Sequence, residues 1–496
     1  MATFLDFILD ASTGISGFIW GLPMVVLLFG TGLLLTMMTG FVQFRNFYKS
    51  ARLVLLGAIR RESKEGAPGE PEGEGDISPF QALMTALSAT VGNGNIAGVA
   101  TAIAAGGPGA AFWMWITAVF GMATKYSEAV LAILYRRKMP DGTMAGGPMY
   151  YCRYGIRFKT LGAFLGGLFA LCGGIATLMG TGNMFQSQSI ASAARQQFDV
   201  PEWASGFLIS FFVGLVIIGG IKRIAVVAER MVPGMILFYF GGTLLVILNN
   251  IGQIPSALQL IVHSAFSPQA AMGGAIGIGV QQAIRFGVAR GILSNESGLG
   301  SAAIAHGAAR TRFPVVQGGI AMMGTFIDTI VVCTLTALTI VVSGAYLKAT
   351  FMVDGIGLSG ADLTVHAFNT GMPDAIAGYG GAIVVFSSLI FGFTTLLGWS
   401  YYGQICFEYL FGLKVVKPYR VVFIILLFVG AQLTGTYAPI ITNVGDICNA
   451  LMAFPNLVGL IFLSGVVAKV THDSYRAGRM RVHEAKPMEP PEENLP

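Results

Sequence analysis

Val91-Gly92-Asn93-Gly94-Asn95-Ile96-Ala97-Gly98 interrupts an apolar stretch that runs from about Pro79 to Ala105. A membrane helix satisfies its own backbone hydrogen bonds, so a Gly/Asn cluster at mid-depth is costly unless it lines something polar. Discontinuous helices of this kind are where a membrane protein can hold a small solute together with a coupling ion.

The rest of the composition fits that setting. Of the 496 residues, 54% are hydrophobic and 11% charged, whereas a soluble domain is about one quarter charged. Apolar runs of about 20 residues recur, the signature of helices that cross a bilayer. The 67 glycines suit close helix contact in lipid. No cleavable signal peptide is expected, because the first apolar run, at 18–42, is long enough to span and lacks a small-residue cleavage pattern. The five cysteines are scattered without metal-type spacing and read as small buried hydrophobes. A net charge of +5 carries no nucleic-acid signal. No phosphate loop, nucleophile elbow or catalytic cluster is visible, so an enzyme is not expected.

Eleven spans are predicted, near 17–44, 79–105, 109–136, 160–194, 202–221, 225–250, 270–305, 316–346, 377–410, 419–436 and 440–468. Lysine and arginine orient them. With the loop after the first span in the cytoplasm, Arg45, Lys49, Arg136, Arg137, Lys222, Arg223, Arg310, Lys414 and the tail cations are all cytoplasmic. Only Arg195 and Lys348 then lie outside, while Lys125, Arg285 and Arg290 fall within spans. The protein is thus expected in the cell (inner) membrane, N-terminus outside and C-terminus cytoplasmic. The stretch 44–59 reads as an amphipathic surface helix, 62–76 as an exposed loop, and 344–376 as an external segment with room for a small helix. Disorder is predicted beyond Lys469.

Spans 2–6 and 7–11 form two sets of five, each opening with a Gly-interrupted helix entered from opposite sides. That is the pattern of an inverted repeat. The predicted fold is an all-α polytopic membrane protein of 11 transmembrane helices, a 5+5 inverted repeat with one extra N-terminal helix. Its parts are 1–78, a first repeat at 79–251, a second at 252–468, and a tail at 469–496.

Unwinding within Ser88-Ala89-Thr90-Val91-Gly92 frees carbonyls for a small hard cation, and frees N–H groups beyond the break for a carboxylate. Asn95 adds a side-chain oxygen. The other reading is a small-residue packing interface, although two buried asparagines exceed what packing needs. In span 7, 285–300 contains Arg285, Gly287, Arg290, Gly291, Glu296, Gly298 and Gly300. Gly287 and Gly291 are the expected unwinding point. Glu296 with Arg285, Arg290 or Lys125 forms either a gate or a fixed ion pair. In span 9, Thr394 and Thr395 offer adjacent hydroxyls that ligate sodium or bond back to their own helix. Trp399 can wall a solute pocket. In span 4, the polar face 179–188, from Met179 to Gln188, can line an outer vestibule or simply pack.

Longer motifs carry a resemblance. Gly75-Asp76-Ile77-Ser78-Pro79-Phe80-Gln81-Ala82-Leu83-Met84 leads into Gly92-Asn93-Gly94-Asn95-Ile96-Ala97-Gly98-Val99-Ala100. With Met144-Ala145-Gly146-Gly147-Pro148-Met149-Tyr150, Ser294-Asn295-Glu296-Ser297-Gly298-Leu299-Gly300-Ser301 and Gly398-Trp399-Ser400-Tyr401-Tyr402-Gly403, the chain resembles the alanine or glycine:cation symporters, prokaryotic sodium:alanine symporters. The resemblance runs from the first span to the last. It implies the leucine-transporter fold of the amino acid-polyamine-organocation superfamily, with spans 2, 4, 7 and 9 as core helices 1, 3, 6 and 8. It implies a main sodium site at the carbonyls near Ser88 and Val91 with Thr394 and Thr395. Thr90 and Asn95 would stand where a second sodium sits in some relatives. The substrate would lie against Asn93, Gly94 and Asn95, walled by Met179, Ile284, Phe286, Gly287, Gly398 and Trp399. The family commonly carries threonine where Asn93 stands.

The expected function is therefore import of a small neutral amino acid, alanine or glycine, coupled to sodium, with no obligatory protein partner. Proton coupling is the alternative. Some relatives on this fold place a lysine of core helix 5 at the sodium position, and span 6 has none. A channel is a further reading.

Overall fold

The computed structural model describes residues 2–59, 74–180, 182–267, 278–349, 357–433 and 438–488. Most of the loop after Ile59, the start of the predicted span 270–305 and part of the external stretch 344–376 lie outside these residues. The described chain is helical, with one short hairpin, Arg137–Lys138 antiparallel to Met144–Ala145. Among the described residues, seven helices are long and apolar enough to cross a membrane, including Asp6–Met38, Gly109–Leu134, Gly220–Asn249, Pro314–Val342 and Asp374–Phe411. Leu237 of Gly220–Asn249, and Phe211, Val421 and Ile425 of two shorter helices, are exposed, a surface suited to lipid.

Eleven spans were predicted, and the shorter count has a physical origin. Spans 79–105 and 270–305 are cut into pieces by their breaks. The helices Glu202–Ile217 and Val416–Gln432, of 16 and 17 residues, occupy spans 202–221 and 419–436. Both are short of the ~20 residues a crossing usually takes.

The first broken helix begins on a capping box. Ser78 Oγ accepts from the Gln81 N–H (3.1 Å), and Gln81 Oε1 accepts from the Ser78 N–H (3.0 Å). Pro79 occupies the first turn, where its missing N–H is harmless. The helix Pro79–Thr90 stops at Val91, which is extended (φ −75°, ψ 93°). The chain resumes as a π-helical turn, Gly94–Gly98, and then the α-helix Val99–Gly106.

The second break is not where the glycines suggest. The helix Ile278–Asn295 runs unbroken through Gly287 and Gly291. A Cβ on Gly287 would stand 2.4 Å from the Ala110 carbonyl oxygen, and one on Gly291 2.9 Å from Thr117 Oγ1. These glycines let Gly109–Leu134 approach closely instead of unwinding. The break falls at Glu296 (φ 55°), Gly298 (φ 92°) and Gly300 (φ 82°), left-handed residues that precede the short helix Ser301–Gly307.

Two peripheral segments bear on the breaks. Within the stretch 344–376, the helix Gly360–Gly371 reaches the first break through Thr364 Oγ1, which donates to the Ile96 carbonyl (3.1 Å). The tail departs from the predicted disorder. The helix Ala438–Arg476 passes Lys469, and the following residues are pinned by Ala485 N–H to the Arg312 carbonyl (2.8 Å) and Met488 N–H to the Arg136 carbonyl (3.0 Å). Met480 is buried there, so an apolar anchor and sheet-like bonds order a segment whose composition is polar.

Candidate functional site

The two breaks meet. A Cβ on Gly94 would lie 3.7 Å from the Ser294 Cα, so the backbones of the two interrupted helices are in direct contact. Beside them is a cavity of about 260 Å³. Thr90, Gly92, Asn93 and Gly94 line it from the first break, and Arg290, Ser294 and Glu296 from the second broken helix. Gln186 comes from Met184–Phe198, Thr395 and Trp399 from Gly380–Phe411, and Asp446 and Asn449 from Ala438–Arg476.

The Asn93 carboxamide is held at both ends. Its Nδ2 donates to Gln186 Oε1 (3.1 Å), and its Oδ1 accepts from the Ser388 hydroxyl. Gln186 is 5% exposed, lines the cavity and has its Oε1 engaged by Asn93. A carboxamide at a cavity wall offers N–H donors suited to a ligand oxygen. Trp399 is seated by Gly182, where a Cβ would stand 2.7 Å from the indole ring.

Of the residues expected around the substrate, the structure brings Asn93, Gly94 and Trp399 to this cavity. Asn95 lies behind it. Met179 ends the helix Lys159–Met179 and is 46% exposed, away from the cavity. Ile284 and Phe286 sit earlier on the second broken helix, Phe286 beneath the Arg285 guanidinium (5.7 Å). Gly287 packs on Ala110, and a Cβ on Gly398 would meet the Ala89 Cβ at 2.7 Å, so these two glycines join helices. None of these five lines the cavity; for Ile284, Phe286 and Gly287 the reason is that a continuous helix through residue 295 carries them away from the break.

The hydroxyls of the threonines expected around sodium, and that of Ser88, whose neighbouring carbonyls were expected there, all bond back to their own helices. Ser88 Oγ donates to the Thr85 carbonyl (2.8 Å), Thr90 Oγ1 to Ala86 (3.2 Å), Thr394 Oγ1 to Phe391 (3.0 Å) and Thr395 Oγ1 to Phe391 (2.9 Å). A donating hydroxyl keeps its lone pairs. Thr395 Oγ1 abuts the break, 2.7 Å from where a Gly92 Cβ would stand, whereas Thr394 faces Met235 Sδ (3.2 Å). Val91 is fully buried, and the last carbonyls of a helix ending there lack intrahelical donors.

Behind the break is a carboxylate absent from the residues the sequence pointed to. Asp328 belongs to a π-helical segment, Phe326–Cys333, inside Pro314–Val342. It is fully buried and accepts from Asn95 Nδ2 (2.7 Å), Ser294 Oγ (2.9 Å) and Thr329 Oγ1 (2.8 Å). Asn95 Oδ1, expected for a cation, accepts from the Gly92 N–H (2.8 Å) and so caps the break. π-Helical turns are frequent at functional sites, and here two of them meet through Asn95 and Asp328. The signal was a lone acidic residue in an apolar span, which by itself marks function in a membrane. Gln186 belongs to the polar face 179–188, where nothing in the sequence sets it apart from its neighbours.

The charges expected to pair with Glu296 do not. Glu296 Oε2 accepts from Ser301 Oγ (2.5 Å). The buried Lys125 donates Nζ to the Asn295 carbonyl (2.8 Å), and Arg285 reaches toward Gly17. Arg290 lines the cavity together with Asp446. The left-handed turn at Glu296 folds its side chain toward Ser301, away from the cations of its own helix. Nearby, Glu128 Oε1 accepts from the Gly298 and Gly300 N–H groups and from Asn456 Nδ2 (3.0, 3.1 and 2.8 Å), fastening the second break.

Two interrupted helices meeting at a polar cavity inside a membrane-spanning bundle define a secondary transporter. The chain belongs to the sodium:alanine symporter family, whose model matches residues 5–487. It is 47% identical over 468 residues to the sodium/alanine symporter AgcS of Methanococcus maripaludis, covering 94% of this chain and 97% of that protein. An uncharacterized transporter of Haemophilus influenzae is also 47% identical, over 464 residues, 94% of this chain and 95% of the relative. Among solved structures, MhsT in complex with L-phenylalanine aligns with a TM-score of 0.51 at 12% identity, over 81% of this chain and 99% of that one. This last likeness is one of fold, the leucine-transporter fold.

Proposed function

We propose that the protein is a sodium-coupled importer of a small neutral amino acid, alanine or glycine, working by alternating access. The carrying observation is the meeting of the two breaks at Gly94 and Ser294 beside a cavity of about 260 Å³. The substrate carboxylate binds the N–H groups opened after Val91 and the Gln186 carboxamide N–H₂ at the cavity wall. The ammonium meets carbonyls at the end of Ile278–Asn295, and Trp399 closes the apolar side. One sodium ion binds carbonyls near Ser88 and Val91 with Thr394 and Thr395. The family and the name of the 47% identical relative support this ion and substrate class.

Asp328 sharpens the coupling. A buried carboxylate must be neutralised by a cation or a proton, and among the described residues no lysine or arginine forms a salt bridge with it, the nearest charge in effect being the buried Lys125. In our reading a second sodium ion completes the cluster of Asp328, Ser294 and Asn95. Residues 79–251 and 252–468 act as the two inverted repeats that rock about this centre, within 11 transmembrane helices. The N-terminus is outside and the C-terminus cytoplasmic.

Proton coupling draws on the same carboxylate and is the second reading. Uptake of alanine into proteoliposomes under an imposed sodium gradient, against choline replacement and an imposed pH gradient, separates them. Uptake that persists undiminished in choline sinks the sodium reading.

A further inference from the structure

A second cavity, of about 480 Å³, lies apart from the helix breaks. The segment before Pro79, the hairpin turn at Asp141, the start of Gly220–Asn249 and the end of Gly380–Phe411 enclose it. These are segments that the distribution of lysine and arginine puts in the cytoplasm. Charges of both signs line it: Asp76, Asp141 and Glu408, against Lys222, Lys417 and Arg420.

Most of these groups are already engaged. Asp76 Oδ2 accepts from the Met144 N–H (2.8 Å), and Asp141 Oδ1 from Thr143. The Arg420 guanidinium donates to Gln404 Oε1 and the Ile218 carbonyl (2.8 Å each). Glu408 is the exception. It is 2% exposed, and its Oε1 has no hydrogen-bond partner among the described residues. Burial also pushes the Asp76 carboxyl above the usual carboxylate range, outweighing the Met144 N–H and the Lys222 charge. Lys222 and Lys417 stand at the rim, Lys222 exposed to solvent.

One helix serves both cavities. Thr395 and Trp399 face the central one, while Gln404 and Glu408 face this one. At about 1.5 Å per residue the two sets are roughly 13 Å apart along the axis. The buried Tyr402 lies between them, while the buried Tyr401 lines the inner cavity.

We propose that this inner cavity is a way-station for a free amino acid leaving the central site, holding its ammonium at Glu408 and its carboxylate at the Lys222 and Lys417 rim. A buried carboxylate with a spare oxygen calls for a cationic partner, and the rim calls for an anion. A zwitterion satisfies both, whereas a simple cation satisfies one. Among the described residues no three His, Cys, Asp or Glu side chains are placed to hold a metal ion. The volume falls in the usual range of small-molecule sites, about 300–1,000 Å³. The inference rests on the transport reading above.

The test compares the two faces of the full-length protein. Intact cells expose the outer face, and inverted membrane vesicles expose the inner face. The half-saturating alanine concentration is measured on each. Glu408→Gln is expected to raise the inner-to-outer ratio about tenfold, the loss of one charged contact. Lys222→Gln, at an exposed position with no folding burden, is expected to raise it in the same direction. An unchanged ratio in both variants overturns the proposal. So does a rise on the inner face matched by a fall on the outer face, which marks a shifted conformational equilibrium. Absence of sodium-driven alanine uptake by the unmodified protein in intact cells is a separate outcome, and it removes the transport reading together with this inference.

Discussion

Replacing Asp328 with asparagine isolates the charge of the buried cluster. The substitution keeps the size of the side chain. Its oxygen can still accept from Asn95 Nδ2, at the position now 2.7 Å away. Its new N–H₂ group can donate to the Ser294 or Thr329 hydroxyl, which turns to accept. The folding cost is therefore small, about 1 kcal/mol or less. Without sodium, removing an uncompensated buried charge offsets even that. Sodium binding loses much more. A contact to a charged group contributes about 1.5–3 kcal/mol, and each 1.4 kcal/mol is about tenfold in affinity. The half-saturating sodium concentration for alanine uptake should rise roughly ten- to hundred-fold. A thermal-shift assay gives the matching result. The melting temperature without sodium stays level or rises, and the added stability that sodium confers by mass action shrinks. A variant whose sodium titration matches the unmodified protein would refute the reasoning that Asp328 answers to a bound cation.

The other expectations concern the breaks and their walls. Gly92→Ala places a Cβ 2.7 Å from Thr395 Oγ1, so it should weaken sodium-dependent uptake and lower the melting temperature. Adding Thr395→Ala should recover the melting temperature but not the uptake. Gly287→Ala drives a methyl to 2.4 Å from the Ala110 carbonyl oxygen and should cost about 1–3 kcal/mol by overpacking. Gly167→Ala, with nothing within 4 Å, should leave the melting temperature unchanged in the same scan. Asn93→Thr removes the Asn93 Nδ2 bond to Gln186 Oε1 and shortens the wall. In a competition panel, serine and valine should then inhibit alanine uptake more strongly while the sodium dependence persists. An unchanged panel argues that Asn93 does not shape the pocket.

Part of this was legible in the chain and part was not, and particular residues show why. The break after Val91 was readable because asparagine amides beside glycine in an apolar stretch must find polar partners that lipid does not offer. Gly287 and Gly291 misled because glycine has two uses in a membrane helix, unwinding and close packing. Only the position of Ala110 and Thr117 decides between them. Met179 and Gly398 were expected at the pocket from a family resemblance, but the register of their helices turns one outward and the other onto Ala89. Asp328 escaped notice because orientation is set by lysine and arginine. One aspartate in the span 316–346 does not disturb that balance.

The sequence by itself determined a polytopic helical protein, an interruption at 91–98 and the family. Those depend on local composition, on the hydrogen-bond demands of lipid and on long motifs. Tertiary structure alone decided that the second break lies at 296–300, that Gly94 touches Ser294, and that Asn95 reaches Asp328 across more than 230 residues of chain. Contacts between distant segments depend on which faces of several helices turn toward one another, and no single stretch of sequence records that rotation. The octapeptide that interrupts the first helix is half a site until Pro314–Val342 brings it a carboxylate.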